Sequence, residues 1–224
     1  LFPYTTLFRS IVSAHDGHVV AYEALMRPQL PTLRSPLTVM QLASEMGRLY
    51  DIEKLTFFRA CECYEELEAA GKLDADALIF VNSIASVSLS DEDWASCCEA
   101  HSAILPKLVV EITEEEEMNE RELERKRNVP GSSGVFALDD YGSGYSNGNS
   151  LLTIAPKYVK VDIAIIRGID TDADKQQFLR ALINYAHPRG VQVLAEGVET
   201  LSELRKVLEM GVDLLQGYCL APPA

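Results

Sequence analysis

Positive charge is in short supply in this chain. Its 20 Lys and Arg stand against 34 Asp and Glu, for a formal net charge of -14 over 224 residues. That balance excludes a general nucleic-acid binder, because phosphate backbones are held by an excess of Lys and Arg. A long apolar run is also missing: no stretch approaches the ~20 residues a membrane helix needs, so no membrane contact is expected from this segment. The opening residues, LFPYTTLFRS, lack the basic start, apolar core and small-residue cleavage site of a signal peptide. The cysteines (Cys61, Cys63, Cys97, Cys98, Cys219) show neither metal-knuckle spacing nor a disulfide framework. An odd count in a chain of this length fits a reducing cytoplasm, with thiols as small packing residues. The 4 histidines (His15, His18, His101, His187) fall in expected turns and helices, so neither a Ser/His/Asp triad nor a His-rich metal site is expected.

What is present is a repeated pattern. Short apolar runs stop at polar groups: VVAYE at Glu23, LIFVN at Asn82, LVVE at Glu111 and FALDD at Asp139 and Asp140. The same holds for YVKVD with Lys160 and Asp162, VQVLAE at Glu196 and DLLQ at Gln216. Buried strands that end repeatedly in carboxylates describe a parallel β/α protein whose strand ends converge on one site, and in such barrels those ends are catalytic. The spacing predicts strands at 18–24, 77–82, 107–112, 135–140, 158–163, 191–195 and 212–220. Helices are predicted near 38–48, 51–70, from Ser90-Asp91, 114–127, 173–187 and 200–210. In helix 173–187, Phe178, Leu179, Leu182, Ile183 and Ala186 form the core face. The charged helix 114–127 reads as solvated, with acids in its first turn and Arg121, Arg125, Lys126 and Arg127 later, as the helix dipole favours. Alternation without a long linker predicts one domain, residues 11–224. Residues 1–10 look unlike the rest and read as a non-native or truncated segment.

Several carboxylates brought together call for a divalent cation, and an oxygen-dominated ligand set points to Mg²⁺ or Mn²⁺ over Zn²⁺. Adjacent Asp139 and Asp140 face opposite sides of a strand unless the backbone turns there, and the Gly/Ser-rich loop that follows supplies a turn. So placed, the pair can bridge two metals for a phosphoryl displacement, or one Asp can cap the loop as an Asx-turn. Lys160 and Asp162 share a face opposite Val159, Val161 and Ile163. A buried Lys must be paired or functional, so this is either a structural Lys–Asp pair or part of a site. Glu199, at a helix start, reads as structural.

In order, these segments resemble the EAL-domain phosphodiesterases that open cyclic di-GMP. The matches are Glu23-Ala24-Leu25-Met26-Arg27, Val81-Asn82-Ser83, Glu111-Ile112-Thr113-Glu114, Asp139 to Ser146, Lys160-Val161-Asp162, Glu196-Gly197-Val198-Glu199-Thr200 and Gln216-Gly217-Tyr218. Each is weak alone; seven in the family's order are specific. The resemblance implies an α/β fold, a TIM-like (β/α)8 barrel with the first strand antiparallel. It assigns Glu23, Asn82, Glu111, Asp139 and Asp140 to two Mg²⁺ or Mn²⁺ ions, and Lys160, Glu196 and Glu23 to catalysis on a metal-activated water. Arg27, Gln216 and Asp162 are assigned to the substrate, and Glu114 to bracing the Asp-Asp loop. The implied reaction gives linear pGpG. A cytoplasmic homodimer behind sensor or GGDEF-type domains, in bacterial signalling, is the implied setting.

Two departures stand out. Arg9-Ser10 replaces the family's Gln-Pro on the first strand, and Asn147-Gly148 replaces Ser-Leu after the Asp-Asp loop. Neither removes an implied metal ligand. The competing reading is a catalytically inactive cyclic-di-GMP receptor, which would be expected to lack ligands or the lysine. An enolase-like lyase also uses barrel carboxylates, Mg²⁺ and Lys, but adjacent aspartates and an Arg27 phosphate clamp fit it poorly.

Overall fold

Strand and helix alternate from the second strand onward, as the apolar runs predict. The computed structural model describes residues 4–28, 35–113, 120–143 and 149–220. The strands are β1 (Tyr4–Ser13), β2 (Val19–Pro28), β3 (Leu78–Asn82), β4 (Leu108–Thr113), β5 (Val135–Tyr141), β6 (Tyr158–Val161), β7 (Gln192–Ala195) and β8 (Leu214–Leu215). The helices are α1 (Pro36–Glu45), α2 (Leu49–Ala69), α3 (Asp91–Ala100), α4 (Glu120–Arg127), α5 (Asn149–Ile154), α6 (Ile163–Ile166), α7 (Ala173–Ala186) and α8 (Leu201–Met210). Among the described residues the strands follow one another in chain order around a closed barrel. β1 runs antiparallel to both neighbours, β2 and β8, while β5 through β8 pair in parallel. This is the expected TIM-like α/β barrel with an antiparallel first strand.

The chain divides into two units, one made of Leu1–Phe8, Tyr22–Val110 and Glu116–Val135, the other of Arg9–Ala21, Glu111–Glu115 and Phe136–Ala224. In the first, Ile79, Phe80 and Val81 of β3 and Leu108 and Val109 of β4 are almost wholly buried, as near-continuous apolar runs require when both strand faces are covered. α2 sets Phe57, Ala60, Cys61 and Tyr64 against them at helical spacing. The Tyr64 hydroxyl donates to Asp74 O at 3.1 Å and Ala77 O at 2.8 Å, and burial pushes its pKa up to about 12. Ser90 caps α3 by accepting from Asp93 N, as its position predicts. All five cysteines are free thiols, three of them buried.

α4 departs from expectation. Its predicted start, 114–119, lies outside the described residues, and its charged face is not wholly solvated. Lys126 is 3% exposed and paired with buried Glu53 of α2 at 2.6 Å. Leu123, one turn earlier, is buried too. Residues three apart share a helix face, so the lysine sits in line with an apolar neighbour.

The second unit holds a denser apolar layer: Phe136, Ala137 and Leu138 of β5, Val159 and Val161 of β6, and Val193, Leu194 and Ala195 of β7 are 0–2% exposed. α7 covers it with Leu179, Leu182, Ile183 and Ala186. Phe178 is only half-buried and lies beside Tyr141, ring centroids 6.0 Å apart. Strand limits differ from the apolar runs at three points. β2 continues to Pro28, so Glu23 lies within it and not at its end. β6 stops at Val161 because Asp162 caps α6, its carboxylate accepting from Ala164 N at 2.8 Å. β8 is short because the backbone turns in at Gly217, where Cys219 N donates to Val198 O at 3.0 Å. A Cβ on Gly217 would stand 2.2 Å from that oxygen, so only glycine fits the approach.

α8 opens with a capping box. Thr200 accepts from Glu203 N, and the Glu203 carboxylate takes Thr200 N at 3.0 Å, Glu199 N at 3.2 Å and Gly168 N at 2.8 Å. Burial raises the pKa of this carboxyl, but the backbone donors outweigh it and hold it below the ordinary value. A depressed pKa adds stability above the unfolded-state pKa, and that contribution is lost as pH falls through the folded value. Glu203→Gln should therefore lower stability by about 2 kcal/mol at pH 7. In urea denaturation its gap from the unmodified chain should narrow toward pH 3.

Candidate active site

The centre of the second unit is a lysine surrounded by acids. Lys160, on β6 opposite Leu194 of β7, is 1% exposed. Its Nζ lies 2.6 Å from Glu111 Oε1, 2.9 Å from Asp139 Oδ1 and 2.9 Å from Glu196 Oε1. An unpaired ammonium could not be held at that depth. Of the two sequence-based alternatives, a Lys160–Asp162 pair gives way to this triple pairing, since the Asp162 carboxylate is engaged in capping α6.

The adjacent aspartates reach one side by a local irregularity. Pairing of β5 with β6 runs Ala137 to Tyr158 and Leu138 to Val159, then shifts so that Tyr141 meets Val161. Within the shift Asp140 takes φ +55°, a left-handed conformation that Asp tolerates better than most residues. Its N–H donates to Asp139 Oδ1 at 2.9 Å. A regular strand would send the two carboxylates to opposite faces. Here oxygens of Asp139, Asp140 and Glu196 lie within 4.8 Å of one another. The turn expected after the strand is thus built into it. Gly142, φ +94°, completes it where a Cβ would meet Ile165 at 2.9 Å.

Glu196 follows β7 directly, its N–H donating to Val161 O at 3.1 Å. The next residue, Gly197, has φ +63° and leaves only 2.4 Å between a notional Cβ and the Ile163 side chain. Gln216, 1% exposed, follows β8, with its N–H on Ala195 O at 2.9 Å. Glu199 pairs with Arg167 at 3.1 Å on the surface, which is a structural role. In the first unit, Glu23 is 5% exposed on β2, Arg27 donates to Met26 O at 2.8 Å, and Asn82 ends β3. Glu114, and residues 144–148 with Asn147 and Gly148, lie outside the described residues. His101 and His187 pair with Glu65 and Asp213, away from the strand ends, as predicted.

Asp139, Asp140 and Glu196 gather several carboxylate oxygens at one place, with the Lys160 ammonium against Asp139 and Glu196. Hard oxygen donors at this spacing suit Mg²⁺ or Mn²⁺, so the residues fit a divalent cation.

The model of the EAL domain matches residues 4–223. The chain belongs to the EAL domain family. It is 30% identical over 225 residues to the cyclic di-GMP phosphodiesterase NbdA of Pseudomonas aeruginosa, covering 96% of this chain and 28% of that one. The chain spans under half the length of the curated relatives it matches. A standalone versatile EAL protein from Vibrio cholerae, solved in its c-di-GMP-bound form, superposes with a TM-score of 0.81 at 27% identity, covering 100% and 93% of the two chains. BlrP1 of Klebsiella pneumoniae, in a manganese and cyclic-di-GMP complex, gives 0.83 at 25%, covering 99% and 56%. No helix among the described residues is long and apolar enough to cross a membrane.

Sequence reasoning missed the β5 irregularity and the Glu53–Lys126 pair, among other features. The β5 irregularity left no mark beyond the Asp-Asp pair itself. The Glu53–Lys126 pair was hidden in a charge-rich helix, and only Leu123 on the same face hinted at burial.

Removing one partner from a buried ionic cluster costs about 3–5 kcal/mol. Lys160→Met should lose stability on that scale in urea denaturation with EDTA present. Added Mn²⁺ should recover part of the loss, because the carboxylates remain.

Proposed function

We propose that this EAL domain is a cyclic-di-GMP phosphodiesterase that hydrolyses one phosphodiester bond to give linear 5'-pGpG. The observation that carries the reading is the intact buried cluster in which Lys160 touches Glu111, Asp139 and Glu196. A receptor that only bound the nucleotide would have no need to hold a lysine among carboxylates at this depth. The relatives named as cyclic di-GMP phosphodiesterases and the c-di-GMP-bound neighbours support the choice of substrate.

In this reading Glu23, Asn82, Glu111, Asp139 and Asp140 hold two Mg²⁺ or Mn²⁺ ions. Bound there, the ions lower the pKa of water and neutralise charge on the phosphate. Lys160 would orient the attacking water and Glu196 would accept its proton as the water oxygen bonds to phosphorus and the bond to the 3'-oxygen breaks, the departing 3'-oxygen taking up a proton to become the 3'-hydroxyl of pGpG. Glu23 acts from the start of the site as both ligand and catalytic group. The forked donors of Arg27 suit the non-scissile phosphate, Gln216 and Asp162 line the substrate, and Glu114 braces the Asp-Asp loop. A cytoplasmic homodimer with sensor or GGDEF-type domains completes the proposal, consistent with the greater length of the curated relatives.

The test is turnover of cyclic di-GMP followed by chromatography. pGpG should appear with Mg²⁺ or Mn²⁺, vanish with EDTA, and fall by about 10²- to 10³-fold in Glu23→Ala and Asp139→Asn, on the scale lost with a group that stabilises the transition state. Tight binding of cyclic di-GMP without product under any metal would move the chain to the receptor class.

The same ions should stabilise the fold, since a ligand bound only by the native state at 100 times its Kd adds about 2.7 kcal/mol. Thermal melts with and without Mn²⁺ should show a rise in Tm that Asp139→Asn abolishes.

A further inference from the structure

The buried pair in the first unit does more than join two helices. Lys126 Nζ lies 2.6 Å from Glu53 Oε1 and 2.7 Å from Ser83 Oγ, and it also donates to Val87 O. Glu53, 1% exposed, accepts from Ser83 Oγ at 2.6 Å and, through its other oxygen, from Ile84 N at 2.8 Å. The two charged groups therefore grip the chain at Ser83, Ile84 and Val87, the segment that leaves β3 immediately after Asn82. α2 and α4 supply the grip, and all of these groups belong to one unit.

A buried ion pair adds little net stability over a well-packed apolar pair, so stability alone is a weak account of it. The alternative is position. Partners that hold a ligand-bearing segment from outside the coordination sphere fix its geometry, and their loss typically weakens metal binding 10- to 100-fold. We propose that the Glu53–Lys126 pair is a positioning clamp that fixes the exit of β3, and with it Asn82, for a divalent cation. The proposal rests on the reading of Asn82 as a metal ligand given above. Glu53 and Lys126 are positioning residues, since they act through Ser83 and the backbone.

The experiment compares the unmodified chain with Ser83→Ala, Lys126→Met and the double variant Glu53→Met, Lys126→Met. Mn²⁺ binding is followed by electron paramagnetic resonance, beside Tm and amide exchange across residues 82–87. Ser83→Ala removes one hydroxyl and leaves the charges paired, and the double variant removes both charges, so neither strands a buried ion. If Lys126→Met alone does not fold, these two carry the test. Both should melt near the unmodified chain, bind Mn²⁺ about tenfold more weakly, and exchange the Ile84 amide faster. Unchanged Mn²⁺ affinity in the folded variants overturns the clamp, whatever their stability. So does an unchanged Ile84 exchange rate in the double variant. If the unmodified chain binds no Mn²⁺ at all, the metal reading of the site fails instead, and the Ile84 exchange rate alone then decides whether the pair grips the β3 exit.

Discussion

Burial of the Lys160 ammonium governs the second unit of this molecule. A charge that is 1% exposed survives only with partners at contact distance, and three carboxylates from three different strands or strand ends supply them. β4, β5 and the end of β7 must each deliver an acid to the same point. Parallel pairing of β5, β6 and β7 brings their ends side by side, with an unbroken register only between β6 and β7. Yet the acids outnumber the lysine. The oxygens of Asp139, Asp140 and Glu196, all within 4.8 Å of one another, also fit a divalent cation.

The local irregularities follow from the same demand. Two neighbouring aspartates cannot serve one site from a regular strand, so β5 slips register and Asp140 adopts a left-handed conformation. Gly142 and Gly197 stand where a side chain would collide with Ile165 or Ile163. Gly217 stands where the chain after β8 packs against the backbone of Val198. Of these, Asp140 is the non-glycine residue held at positive φ, and it belongs to the acid group itself.

A second buried ionic group, Glu53 with Lys126, belongs to the other unit and has a different character. Two of its contacts on residues 83–87 are with the Ser83 hydroxyl and two are with backbone, at Ile84 N and Val87 O. The two groups place a buried lysine differently: Lys160 lies against three carboxylates, whereas Lys126 lies against one carboxylate, a hydroxyl and a backbone carbonyl.

Much of this was legible in the residue order. Apolar runs broken by Glu23, Asn82, Glu111, Asp139, Lys160, Glu196 and Gln216 were enough to predict the barrel and to single out Lys160 and the acids Glu111, Asp139 and Glu196 that the structure brings together, because strand burial writes a continuous apolar pattern and polar residues interrupt it. The limits of β6 and β8 were not legible, since a capping carboxylate and a backbone approach decide them, and both depend on neighbours distant in sequence. Nor was the choice of partner for Lys160. Asp162 was the candidate two residues away, but the end of β6 turns its carboxylate to the α6 amides, leaving the lysine to acids from other strands. The sequence by itself determined which residue types meet at the strand ends. Only the tertiary structure decided which carboxylates touch the lysine, and that Lys126 is buried, because pairing across strands and helices is set by packing and not by spacing along the chain.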